Sequence, residues 1–92
     1  MRYMWDPLKD ALNLRKHGLR LADGVDALED PDRDSWLDDE VDYGEERIIT
    51  LGLSNRRVLF VVSTLREEAL TRIISVRKAE DDEIEQYGLG RS

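Results

Sequence analysis

A chain of 92 residues suits one domain and leaves no room for a second core, and without cysteine it carries neither a disulfide framework nor a thiolate metal site. Its formal charge of −7 argues against a surface that binds nucleic acid everywhere. The segment from Leu21 to Glu46, however, holds 12 of the 21 acids and a single base, Arg33, so the remainder carries 13 bases against 9 acids and has room for a basic site beside an acidic lobe.

Arg2-Tyr3-Met4-Trp5 reads as a short strand that stops at Asp6-Pro7, where Asp suits a helix N-cap and Pro the first helical position. Leu8, Ala11, Leu12 and Arg15 then repeat at i, i+3, i+4 and i+7, which predicts a helix with this stripe toward the core, ended by Gly18. A second helix is expected with Leu21, Val25 and Leu28 on one face, until Asp30-Pro31 breaks it, so that the two form a helical hairpin. Beyond Pro31 the period changes to two, with strands near Ser35 to Leu37, Arg47 to Gly52, Arg57 to Val62 and Leu70 to Val76, and a turn at Ser54-Asn55. Short connections make these an antiparallel meander with one face under the hairpin, an α+β fold. Ala79 to Tyr87 reads as a short closing helix, followed by a loose tail from about residue 88.

The longest apolar run, Val58 to Val62, falls far short of the roughly 20 residues that span a bilayer, and the N-terminus lacks a signal-peptide pattern. No membrane association and a cytoplasmic location are expected. A domain this small buries only about 60–65% of its unfolded surface, so a partner that binds the native state would add usefully to its stability.

No phosphate-loop, dinucleotide or metalloprotease motif is present, and one histidine cannot make a multi-histidine metal site, so neither metal nor cofactor is expected. What remains is a scattered set of bases. Lys9, Asn13, Lys16 and His17 fall at i, i+4, i+7 and i+8, on a helix face that could grip a phosphate or could simply be solvated. On a regular last strand Arg72 and Arg77 point to opposite faces, and they converge only if the chain turns after Ser75. Lys78 follows directly, while Glu83 and Tyr87, at i and i+4, share one face of the closing helix, as a functional pair or a local surface contact.

Tyr3-x-Trp5-Asp6-Pro7-x-Lys9 followed by Asn13-x-x-Lys16-His17-Gly18 closely resembles the opening of the BrnT toxin family. Asp30-Pro31, Gly44-Glu45-Glu46-Arg47-x-Ile49-Thr50-Leu51-Gly52, and Arg72-Ile73-Ile74-Ser75-x-Arg77-Lys78-Ala79 with Glu83 and Tyr87 look like its later blocks, in the same order. The resemblance runs from about Tyr3 to Tyr87, and four ordered blocks are far more specific than any one of them. It implies a RelE-like fold, an endoribonuclease that arrests translation, and neutralisation by a BrnA-type antitoxin encoded beside it. DNA would be reached only through that antitoxin.

Carried onto this sequence, the resemblance marks His17, Arg72, Arg77, Glu83 and Tyr87 as working residues; Lys9, Lys16 and Lys78, among the scattered bases, are the expected RNA contacts. The residue types suit metal-free RNA cleavage, which needs the 2′-hydroxyl deprotonated, the phosphorane charge stabilised and the leaving 5′-oxygen protonated. Arg72 and Arg77 would hold the scissile phosphate with planar, permanently charged forks. Glu83 or Tyr87 would act as base or positioning group, and His17 is the natural acid because histidine titrates near neutrality. The competing reading is a catalytically weak or inactive protein-binding module that keeps the fold, which the acidic balance suits. A plain RNA-binding domain fits less well, since no single strand is rich in aromatics.

Overall fold

The computed structural model describes residues 1–38 and 44–89. Its elements run β1 (Arg2–Met4), α1 (Pro7–His17), a 3-10 turn (Leu21–Asp23), α2 (Gly24–Glu29), β2 (Asp34–Asp38), β3 (Arg47–Ser54), β4 (Arg57–Glu67), β5 (Leu70–Lys78) and α3 (Asp81–Leu89). The five strands form one sheet in the order β1-β5-β4-β3-β2. β2 to β5 make the expected antiparallel meander, but β1 pairs parallel with β5, Tyr3 opposite Thr71, so the sheet is mixed. Part of the acidic stretch and most of the expected loose tail lie outside the described residues. Gly88 and Leu89 still belong to α3. No helix among the described residues is long and apolar enough to cross a membrane.

The local signals at the ends of α1 act as expected. The Asp6 carboxylate accepts a hydrogen bond from the Leu8 N–H at 2.9 Å, Pro7 occupies the first turn, and Gly18 ends the helix at φ +72°. The buried face of α1 does not follow the apolar periodicity. Leu8 is 75% and Leu12 61% exposed, whereas Asn13, expected on a face that is either solvated or grips a phosphate, is 6% exposed. The reason lies in the edge of β5. β1 stops opposite Arg72, so beyond that point the outer edge of β5 needs another partner for its backbone groups. The Asn13 amide supplies one: Nδ2 donates to the Val76 carbonyl (2.9 Å) and the Leu19 carbonyl (2.7 Å), and Oδ1 accepts from the Val76 N–H (3.0 Å). Satisfying buried backbone outweighs burying two leucines, and α1 turns its polar side to the sheet.

The expected second helix is instead the 3-10 turn followed by the six residues of α2. α2 lies on β3 and β4, and Gly52 lets it approach, because a Cβ there would stand 2.7 Å from Ala27 Cα. Leu21, Ala27, Leu59, Val61, Ile73 and Val76 close this side of the core. α3 covers one end of the opposite face, where Tyr87 buries against Leu51 and Val58, with Trp36, Phe60 and Ala79 packed around them.

β3 and β4 join through Asn55 (φ 50°) and Arg56 (φ 69°), the two left-handed residues of a type I′ hairpin turn. Asparagine tolerates that conformation and arginine does not, at a cost of about 1–2 kcal/mol. Arg56→Gly is expected to raise stability by about 0.5–1 kcal/mol once glycine's extra unfolded-state freedom is subtracted. A higher urea midpoint at an unchanged slope would register this.

Candidate functional site

The pairing of β4 with β5 decides which side chains share the open face. Val62 lies opposite Ser75 and Ser63 opposite Ile73, so Ile74 is an extra residue on β5. Such a bulge reverses the alternation that follows it. Thr64, Val62 and Phe60 of β4 project to one side, and their partners Arg72, Ser75 and Arg77 project with them. Arg72 and Arg77 therefore occupy the same face, the one opposite α1 and α2, although β5 continues to Lys78 with no turn after Ser75. A second irregularity, between Leu65 and Glu67, makes Arg66 the extra residue on β4.

Arg77 is held on three sides. Its Nη1 and Nη2 each donate to a Glu83 carboxylate oxygen at 2.9 Å, Nη1 also donates to the Lys78 carbonyl at 3.1 Å, and its Cζ lies 3.8 Å from the centre of the Phe60 ring. Glu83 reaches this position from the first turn of α3, where its Oε1 also accepts the Glu80 N–H at 2.8 Å. Burial pushes the Glu83 carboxyl up. The Arg77 hydrogen bonds, the Glu80 N–H and the Arg77 charge outweigh that and hold it below the usual carboxylate range. The same bonds raise Arg77 further above an already high value, against the opposing effect of burial. Both stay ionised across the physiological range.

Arg77 stands between two depressions. One of about 430 Å³ is lined by Lys16, His17, Arg77, Lys78 and Glu80. The other, about 300 Å³, has Trp36, Ile49 and Phe60 on its floor with Arg77 and Glu83 at its wall. Lys9, Lys16 and His17 also border a groove of about 250 Å³ beside Ile74 and Ser75. The structure thus gathers Lys16, His17, Arg77, Lys78 and, across the salt bridge, Glu83, with Lys9 at the margin.

Two candidates stand apart. Tyr87 is 4% exposed and donates its hydroxyl to Asp30 Oδ2 at 2.5 Å, which pins α3 to the end of α2. Arg72, on the right face, lies toward the other end of the sheet in a cluster of its own: its Nη2 donates to Glu45 Oε1 at 2.6 Å, and Glu45 is also 3.6 Å from Arg66 and 3.8 Å from Arg47. Among the described residues no three His, Cys, Asp or Glu side chains stand together as a metal-binding group.

The residues that sequence reasoning missed are Trp36, Phe60, Glu45, Arg47 and Arg66. Trp36 and Phe60 sit on β2 and β4, both beside β3 on the open face, so they converge around Ile49 only once the strands pair. Period-two alternation about Ile49 and Phe60 holds a faint signal of this, because it predicts large side chains on one face without saying which neighbours they meet.

Comparison with known proteins agrees with this architecture. The family model described as the ribonuclease toxin BrnT of type II toxin–antitoxin systems matches residues 5–83. The 1.1 Å crystal structure of the Brucella abortus ribonuclease toxin, BrnT, superposes with a TM-score of 0.68 at 25% identity, covering 88% of this chain and 99% of that one. No curated protein matches the chain.

Proposed function

Because the chain belongs to the BrnT family of type II toxin ribonucleases, we propose that it is a metal-independent endoribonuclease that arrests translation in the cytoplasm and is neutralised by a BrnA-like antitoxin. DNA is reached only through that antitoxin, and the RelE-like architecture belongs to the same reading. The observation that carries it is the position of Arg77, which forms the wall between the depression lined by Lys16, His17 and Lys78 and the pocket floored by Trp36 and Phe60.

In this reading a base stacks in the aromatic pocket while its phosphate lies against Arg77, whose fixed fork meets the charge that builds on phosphorus during attack by the 2′-oxygen. His17, across the same depression, protonates the departing 5′-oxygen. The nearby carboxylate is that of Glu83, which orients Arg77 and is the group placed to draw the proton from the 2′-hydroxyl. Lys16 and Lys78 border the path of the flanking phosphates, with Lys9 further out. Arg72 supplies a second fork on the same face. Tyr87 anchors α3, and so Glu83, through Asp30.

The test is incubation of the purified chain with RNA in excess EDTA. Cleavage that is undiminished by EDTA and blocked by the protein encoded beside it is the expected result. Cleavage that requires added magnesium would overturn metal independence. If no RNA is cut under either condition, the non-catalytic binding module takes its place, a reading favoured by the carboxylates that already pair with both arginines.

A further inference from the structure

We propose that Arg47, Arg66 and Arg72 form a second RNA-phosphate site, which the free protein keeps filled with the carboxylate of Glu45 as an internal stand-in for the phosphate. The proposal rests on the ribonuclease reading above and adds to it a binding site and a built-in competitor.

The geometry of Glu45 is that of an anion in a cationic cradle. One oxygen sits 2.6 Å from Arg72 Nη2 and 3.8 Å from Arg47 Nη2, and the other sits 3.6 Å from Arg66 Nη1. Only the first contact is a hydrogen bond; the other two are longer than hydrogen bonding allows. The carboxylate therefore binds Arg72 end-on and meets Arg66 only at ion-pair distance. Arg72 Nε is buried without a hydrogen-bond partner, so the carboxylate uses only one end of this guanidinium. A phosphodiester presents two non-bridging oxygens carrying a full charge, and a guanidinium takes these through two parallel N–H donors.

The backbone is arranged to present these groups. The bulge at Ile74 keeps Arg72 on the face of Arg77, and the irregularity at Arg66 re-aims that side chain beside it. Thr64, opposite Arg72, donates its hydroxyl to the Glu46 carbonyl at 2.7 Å and so fixes the chain that carries Glu45. Arg66 is 49% and Arg72 27% exposed, so the cradle opens to solvent. Arg72 and Arg77 stand opposite Thr64 and Phe60, four residues apart on β4 or about 13 Å, and their guanidinia are held by different carboxylates, Glu45 and Glu83, which suits them to different phosphates of one bound strand. RNA that reaches this end of the face must displace Glu45, so the carboxylate weakens binding by competition and disfavours ligands too short to span both sites.

The experiment measures binding of a fully 2′-O-methylated, uncleavable single-stranded RNA to the full chain by fluorescence anisotropy across a salt series. Glu45→Gln removes the competing charge at nearly constant shape, and binding is expected to tighten about three- to fivefold, as displacing a partly exposed ion pair worth up to about 1 kcal/mol requires. Arg66→Ala, at an exposed bulge where folding is not at stake, is expected to weaken binding and to lower the slope of log affinity against log salt by about 0.7, the value for one lost phosphate contact on a single strand. An unchanged slope for Arg66→Ala, or weaker binding by Glu45→Gln with an unchanged melting temperature, would overturn the second site. That result leaves the ribonuclease reading intact if the wild-type chain still cuts RNA and Arg77→Ala still weakens binding. Absence of both cleavage and RNA binding in the wild-type chain removes both.

Discussion

Arg77→Ala is expected to reduce RNA cleavage by about 10²–10³-fold, the usual consequence of removing one fixed donor aimed at transition-state charge, roughly 3–4 kcal/mol. The loss in stability should be much smaller. The guanidinium is partly exposed, and Glu83 keeps its hydrogen bond from the Glu80 N–H after the arginine has gone. What the fold forfeits is a half-buried ion pair and the packing of Arg77 on Phe60, an effect of about 1 kcal/mol. Single-turnover cleavage of a labelled RNA, read beside a thermal melt, separates the two quantities. Arg77→Lys sharpens the comparison, because lysine keeps the charge but loses the planar fork and the stacked geometry. Little recovery of rate is expected. Near-normal cleavage by a folded Arg77→Ala would shift the chemistry to the Arg72 end of the face.

Asn13→Ala is expected to be the most destabilising of the substitutions considered, by about 3–5 kcal/mol. Alanine strands the Val76 N–H, the Val76 carbonyl and the Leu19 carbonyl, and each buried polar group left unpaired costs about 1–3 kcal/mol. A chain of this length has a total stability on the order of 5–14 kcal/mol, so the loss takes a large share of it and should lower the melting temperature by well over about 10 °C. Asn13→Leu should fare no better, although it places an apolar side chain against an apolar core, since the stranded groups are the same. Urea denaturation decides the matter. A change below about 1 kcal/mol would mean that water replaces the amide, and the edge of β5 would then owe little to α1. Activity should fall with stability here, because α1 carries Lys16 and His17 to the site.

Much of the architecture could be read locally. Asp6, Pro7 and Gly18 bound α1 as expected because capping is settled within one turn of backbone, and Asp30-Pro31 ends α2 for the same reason. The strands β3, β4 and β5 follow the alternation of Arg47 to Val76, extended at their ends by pairing. The ordered motif blocks led to the family that the comparison then showed.

The site was legible as a set of residues and illegible as an arrangement. Alternation alone puts Arg72 and Arg77 on opposite faces, and only the extra residue at Ile74, which exists by virtue of the register with β4, returns them to one. Glu83 and Tyr87 are i and i+4 on one helix, but α3 docks so that the first meets Arg77 and the second goes into the core against Asp30. The leucine stripe of α1 points outward because a strand edge 63 positions away in sequence requires the Asn13 amide. Sequence by itself determined the strands β3 to β5, the helix α1 with its caps and the segregation of acids from bases, since each depends on near neighbours in the chain or on simple composition. Tertiary structure alone decided which face each functional side chain occupies, because strand parity, edge satisfaction and helix docking are set by hydrogen bonds between residues far apart in the chain.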